Sequence, residues 1–390
     1  VTSQGSVVEH APECFKDEKS YDNRTKVRCG YILDGNILSF ETGAAAGSSL
    51  LIDPLVVWST FYGGSGDDTG IGVCTDNNMN VIFTGETSSG NSNYCIATGN
   101  AYQTVYQGEI DAFVAKFNKK GERQWSTYLG GSNEDAGLDV STDSNGNIFI
   151  TGRTKSENLA VGNNVHQNVL GGEEDAFAAK FSASGDIRWF TYFGGESYDS
   201  GTGIVSNANY AYLVGTTSST TSISSSTVSV FGGNYDGFVA KFNSSDGSSV
   251  WSRYYGGEDV DEFQAIDIDG SYLYCAGQTS STASIAENGF YNSLRGGFDA
   301  MVVKFDSNGD RVWGTYYGGP QDDDAWDISV SSGNVYFGGK TLSSTSVATI
   351  GNINGNTDGY LAKFNASCQR QWAEYYGGSE DDFINAVSTD

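Results

Sequence analysis

The chain is poor in the residues on which most chemistry depends. It has 2 histidines in 390 residues, His10 near one end and His166 in a polar stretch. A Ser-His-Asp arrangement would have to use one of them, and no G-x-S-x-G elbow accompanies either. Basic residues are scarce: 21 Lys and Arg stand against 48 Asp and Glu, a formal net charge of −27. That balance repels nucleic acid and anionic membrane surfaces and favours cations. No apolar run is long enough to cross a bilayer as a helix, so membrane insertion is not expected. No helix-period segment of any length occurs, which removes the Gly-rich phosphate loop that leads into a helix. The 6 Cys form no Cys-x-x-Cys or Cys/His cluster, so a structural zinc site is not expected.

What is abundant is Gly (52), Tyr (23) and Phe (21), against 3 Pro. These residues fall into a repeat. Trp58, Trp125, Trp189, Trp251, Trp313 and Trp372 each precede an aromatic-rich stretch ending in Gly-Gly. An Asp follows each, at Asp68, Asp135, Asp199, Asp261, Asp323 and Asp382. A period of about 60 residues with a fixed internal pattern is one supersecondary unit copied in tandem. Each copy reads as four strands. The first follows the Asp and carries a β-branched residue at Val73, Val140, Ile204, Ile266, Ile328 or Val387. The second follows a turn, as in NGNIFITG. After a connector rich in Ser, Thr, Gly and Asn comes the third, DAFVAKF and its variants, starting at Asp111, Asp175, Asp236, Asp299 and Asp358. The fourth carries the Trp.

Four antiparallel strands per unit predict an all-β protein, a β-propeller whose ring protects its sheet edges. Five complete sets are present, with an extra fourth strand at Trp58 and an extra first strand from Asp382 to Asp390. Six blades are expected, the last shared between the termini, with DGNILSF (Asp34 to Phe40) imitating its second strand. Seven or more are expected if the sequence is a fragment. Residues 1–54 read as a β-rich segment that contributes strands to closure, and residues 55–390 as the propeller.

The motifs WSTFYGGSGDD, DAFVAKF and STDSNGNIFITG resemble the bacterial SBBP β-propeller repeat. The stretch from Tyr31 to Gly64 is similar to the exit from the β-rich domain that often precedes such propellers. The resemblance implies an extracytoplasmic location, secreted or on the bacterial surface as in Bacteroidota. It also implies a multidomain parent with an adhesive or scaffolding role, and it implies no catalytic residues. No signal peptide stands at the start, so export is expected from the resemblance alone.

A residue present in every copy is most simply explained by folding. The repeat Trp residues are expected between blades. Lys116, Lys180, Lys241, Lys304 and Lys363 are expected to pair with a carboxylate or to lie along the blade. The repeat Asp residues read as loop anchors, with Ca²⁺ as the alternative. The calcium reading rests on Asp67, Asp68, Asp322, Asp323, Asp324, Asp381 and Asp382; no other cofactor is expected. Cys14–Cys29 and Cys74–Cys95 read as local disulfides in an oxidising compartment. Cys275 reads as a buried thiol, and Cys368, in place of a hairpin Gly, as an exposed one. Specificity is expected where the copies differ, in the second-to-third-strand connectors, through Tyr94, Tyr102, Tyr106, Phe231, Phe290 and Tyr291. Together these readings predict a non-enzymatic binding, adhesion or scaffold module, with a glycan or protein ligand and further domains of its parent as partners. A secreted polysaccharide-active enzyme and a structural spacer are the competing classes.

Overall fold

The computed structural model describes residues 58–92, 95–226 and 229–389, with the backbone of five short strands before residue 58. The chain divides into two units, Val1–Phe61 and Tyr62–Asp390. In the first, Thr25–Val27, Glu13–Lys16 and Leu50–Asp53 form a three-stranded antiparallel sheet in that order. Cys29–Asp34 and Ile37–Thr42 form a separate hairpin in which Asp34 pairs with Ile37. Within the segment Asp34 to Phe40, Ile37 to Phe40 pair with Asp34 to Tyr31 in this hairpin.

The second unit contains five four-stranded antiparallel sheets, each with its strands in sequence order. The first sheet is Asp68–Thr75, Val81–Thr87, Asp111–Phe117 and Arg123–Leu129. The second is Asp135–Thr142, Ile148–Thr154, Asp175–Phe181 and Ile187–Phe193. The third is Asp199–Ser206, Tyr210–Thr217, Asp236–Asn243 and Ser249–Tyr255. The fourth is Asp261–Asp269, Tyr272–Thr279, Asp299–Phe305 and Arg311–Tyr317. The fifth is Asp323–Ser331, Asn334–Thr341, Asp358–Asn365 and Arg370–Tyr376.

Two irregularities recur in every sheet. The first strand bulges three residues after its Asp, between Gly137 and Asp139 in the second sheet and at the same place in the other four. A bulge skips one residue and resets the alternation, which turns Val140, Ile204, Ile266 and Ile328 into the core, where they are buried. Opposite the bulge stands the Gly of the second strand. A Cβ on Gly85, Gly152, Gly215, Gly277 or Gly339 would lie 1.8–2.1 Å from a first-strand carbonyl oxygen, so only Gly allows the approach. The second irregularity lies where the third-strand Lys pairs with the fourth-strand Trp.

The sheets pack in succession, each first strand beside the next, and they do not close. Val73 of the first sheet is 67 % exposed where its counterparts are buried. Among the described residues, 58–67 carry no strand, where the sequence predicts an extra fourth strand around Trp58. At the other end, residues 382–389 form no strand either, yet they lie along the fifth sheet. The Ile384 N–H donates to Gly339 O at 3.2 Å and the Val387 N–H to Asp327 Oδ2 at 2.6 Å, while Phe383 stacks on Trp326.

Candidate functional site

The repeat carboxylates build a frame at the Gly-Gly end of the sheets. Asp199 accepts the Gly195 N–H at 2.8 Å and the Ser219 hydroxyl at 2.8 Å. Asp135, Asp261 and Asp323 repeat the pattern with Gly131 and Ser156, Gly257 and Ser281, and Gly319 and Ser343. The Thr two residues before each of those Ser donates as well to Asp135, Asp261 and Asp323. The Asp that opens each third strand is held by the turn before it: Asp175 accepts from Gly171 N, Gly172 N and Gln167 Nε2 at 2.8–3.1 Å. The two sets meet across the first Gly of each pair. A Cβ on Gly194 would lie 2.5 Å from Asp175 and 2.8 Å from Asp199, and Gly130, Gly256 and Gly318 are enclosed in the same way.

Burial raises the pKa of five of these carboxylates markedly, and a nearby carboxylate adds to each shift. Asp111 and Asp236 are pushed up to about 7, and Asp199, Asp299 and Asp323 to about 6. Groups so enclosed cannot touch a substrate. They anchor loops. In a third set, Asp139 and Asp267 accept backbone N–H groups of the next first strand, Ile204 at 2.7 Å and Val330 at 2.6 Å, and Asp327 accepts that of Val387 in the segment along the fifth sheet.

The repeat Lys and Trp latch each sheet to the next. Lys180 Nζ and Trp189 Nε1 both donate to Ser244 O, at 2.8 and 3.0 Å, in the third-to-fourth-strand turn of the following sheet. Lys116 and Trp125 share Ala183 O, Lys241 and Trp251 share Ser307 O, and Lys304 and Trp313 share Ala366 O. The turn Gly sits against the indole with positive φ, as at Gly247 (φ +73). Burial lowers the pKa of Lys180, Lys241 and Lys304. Of the five repeat lysines, Lys116 has in addition a carboxylate within ion-pair distance, Asp76 at 2.9 Å.

The expected recognition residues lie in or beside the second-to-third-strand connectors. Tyr94 lies outside the described residues. Tyr102 is half-exposed with its ring on Phe181, and Tyr106 donates to Glu109 O and packs on Tyr128. Phe231 packs on Tyr254. Phe290 and Tyr291 lie against each other and against Tyr317, with Arg370 over the first ring and Arg295 over the second. Their connectors run along the outer edge of the fourth strand and pair with it, Val161 with Phe190 and Tyr291 with Tyr316. They cover a sheet edge, with Tyr106, Phe231, Phe290 and Tyr291 partly buried and Tyr102 exposed.

The acidic clusters do not converge. Among the described residues no three His, Cys, Asp or Glu side chains are grouped to hold a metal ion. Asp68, Asp323 and Asp382 accept from Gly64, Gly319 and Gly378 N–H groups. Asp322 accepts from Phe298 N, Asp324 pairs with Lys340 at 3.0 Å, and Asp67 and Asp381 are exposed.

Two cysteine readings are corrected. Cys74 and Cys95 are separate free thiols. Cys95 lies beside Gly64 and Ser89 at the Asp68 end of the sheet. Cys74 is six residues down the strand from Asp68, roughly 20 Å at about 3.3 Å per residue. Cys368 is buried, not exposed, because its turn is the one that Lys304 and Trp313 grip; burial raises its pKa to about 11. Cys275 is buried. The side chains of Cys14 and Cys29 lie outside the described residues.

One feature comes from residues that the repeat does not share. A cleft of 570 Å³ opens between the first and second sheets, beside the Lys116–Asp76 pair. Lys116 and Trp125 lie deepest; Asn80, Thr98, Asn100 and Gln124 line its sides and rim; the Ala183-Ser184 turn closes it. Burial works to raise the Asp76 carboxyl, but hydrogen bonds from Asn80 and Lys116 outweigh it and hold it at about 2.

A family model described as a beta-propeller repeat, SBBP, matches residues 124–160. That window begins beside Trp125, passes Asp135 and ends after Ser156, so the matched unit straddles a joint between two sheets. The regulatory protein FlaEY of Caulobacter vibrioides is 27% identical over 296 residues, 69% of this chain and 30% of that protein. The chain thus spans less than a third of that relative's length. Among solved structures, a mutant apocarotenoid oxygenase of Synechocystis is similar at 7% identity and a TM-score of 0.42, covering 82% of this chain and 64% of that one. A GH43 β-xylosidase/α-arabinofuranosidase from a compost metagenome is similar at 9% identity and a TM-score of 0.35, covering 82% and 96%. The matched repeat and the five sheets together make this chain a propeller-type repeat protein.

Proposed function

We propose that the chain is an extracellular, non-enzymatic binding or adhesion module within a larger secreted or surface protein, built on a six-bladed ring. The observation that carries this reading is the commitment of the recurrent polar groups. The repeat Asp, Thr and Ser residues bond one another and the Gly-Gly turns, and the repeat Lys and Trp residues bond the next turn's carbonyl. Little recurrent chemistry is left for a reaction, whereas the residues that differ between copies leave a solvent-facing polar cleft. Six blades are supported by Asp382, which bonds Gly378 as the repeat Asp residues bond their own Gly-Gly turns, and by the place its segment takes along the fifth sheet. A glycan array beside a hydrolysis assay on the same glycans tests the function. Binding without turnover is the expected result. Turnover would make the protein a polysaccharide-active enzyme, and neither would make it a spacer.

A further inference from the structure

We propose that the cleft between the first and second sheets binds a neutral sugar residue. The inference rests on the reading of the chain as a binding module and gives that reading a site.

The other described joints between sheets show how the repeat usually fills this place. In the third and fourth sheets Tyr210 and Tyr272 lie over Lys241 and Lys304 at 3.9 and 4.0 Å. The corresponding residue, two before the partner of the third-strand Lys, is Asn80 in the first sheet. The second sheet has Asn147 there, but its connector covers the joint: the His166 N–H bonds Gly247 O at 3.0 Å and Val165 packs against Trp189. In the first sheet the Tyr is absent, and the connector leaves Thr98 to Asn100 at the rim before Tyr102 packs on Phe181 of the second sheet, so the cleft stays open.

Its chemistry selects against charge. The Lys116 ammonium is matched by Asp76 and donates again to Ala183 O, so it offers an anion little. Asp76 already accepts from Asn78 N, from Asn80 N and Nδ2, and from Lys116, so it offers a cation little. What remains are the Asn100 amide, the amide oxygens of Asn80 and Gln124, the hydroxyls of Thr98 and Ser184, and the exposed edge of Trp125, whose ring stacks on Phe181. The two hydroxyls donate to Ser126 O and Asp186 and can still accept from a ligand hydroxyl. A few convergent polar groups beside an aromatic surface, in a volume within the roughly 300–1,000 Å³ of small-molecule sites, suit a ring bearing hydroxyls on its edge and C–H groups on its face.

The test is titration calorimetry of the intact chain with glucose, galactose, mannose, N-acetylglucosamine and their β-linked disaccharides, and with glucuronate and galacturonate. Two variants accompany it. Asn80→Tyr installs the residue that the third and fourth sheets use, and Asn100→Ala trims an exposed rim amide; thermal melts check that both fold. At least one neutral sugar should bind, roughly tenfold or more weaker in each variant, with the uronates failing to compete. Preference for a uronate, neutral-sugar binding that survives both substitutions, or no binding across the panel would each overturn the proposal. A ligand found on the array and held equally by both variants would remove this site and leave the binding-module reading standing. A wild-type chain that binds nothing on the array would remove both.

Discussion

A buried carboxylate costs several kcal/mol unless its lone pairs are filled, and Asp135 shows how the repeat meets that condition with the Gly131 N–H and the Ser156 hydroxyl on one oxygen and the Thr154 hydroxyl on the other. The Asp and the Gly-Gly were legible in the sequence because both are rare enough to stand out at a fixed spacing. The Thr-x-Ser that completes the cage was not, although it recurs as Thr154-Lys155-Ser156, Thr217-Ser218-Ser219 and Thr279-Ser280-Ser281. Hydroxyl residues have no contrast in a segment already rich in them. Cys368 was misjudged for a related reason: a turn is usually solvated, and only the neighbouring sheet reveals that this one lies under an indole. The repeat Trp belongs to the same scale. Trp189 is buried and its N–H is bonded to Ser244 O, so Trp189→Ala should lower the unfolding free energy by about 3–5 kcal/mol, read from urea midpoints. An unchanged midpoint would show that the ring does not hold the joint.

Among the elements, the third-to-fourth-strand hairpin has two tasks, to reverse the chain and to receive the latch of the preceding sheet. Gly247 meets both: its φ is +73, and a Cβ there would lie 2.9 Å from Trp189. Gly247→Val should destabilise by roughly 1–3 kcal/mol through left-handed backbone and overpacking together. Near-wild-type melting of that variant would mean the turn can move away from the indole at no cost. The strands were legible from their alternation and their branched residues, but the connectors were not. Solvated loops and edge covers draw on the same polar residues, and the packing of Tyr291 on Thr315 and Tyr317 depends on a strand more than twenty residues further on. The open cleft was hidden in a different way, since it comes from what Asn80 does not fill.

At the scale of the whole molecule the buried carboxylates set a pH dependence. Asp111, Asp236, Asp199, Asp299 and Asp323 hold protons up to pH values of about 6 to 7 in the folded chain, whereas an unfolded Asp releases its proton near 3.9. Between those limits the folded state binds more protons than the unfolded one, so stability falls as pH rises and levels off above about 7. Asp76 and Glu196, held at about 2, act in the opposite sense and withdraw their support only as pH drops below about 4. Urea midpoints at matched ionic strength should therefore be higher at pH 5 than at pH 8, and Asp111→Asn should flatten the difference; a higher midpoint at pH 8 would contradict the assignment. The latches have a further consequence for how such a chain changes over generations. Every joint is formed by a donor side on one sheet and an acceptor turn on the next, so the contact is heterologous, and one more copy inserted anywhere meets neighbours already shaped for it. Duplication or loss of a single sixty-residue segment in the gene leaves no mismatched seam, and in a closed ring built this way the limit on copy number would come from the rotation at which the last donor meets the first acceptor.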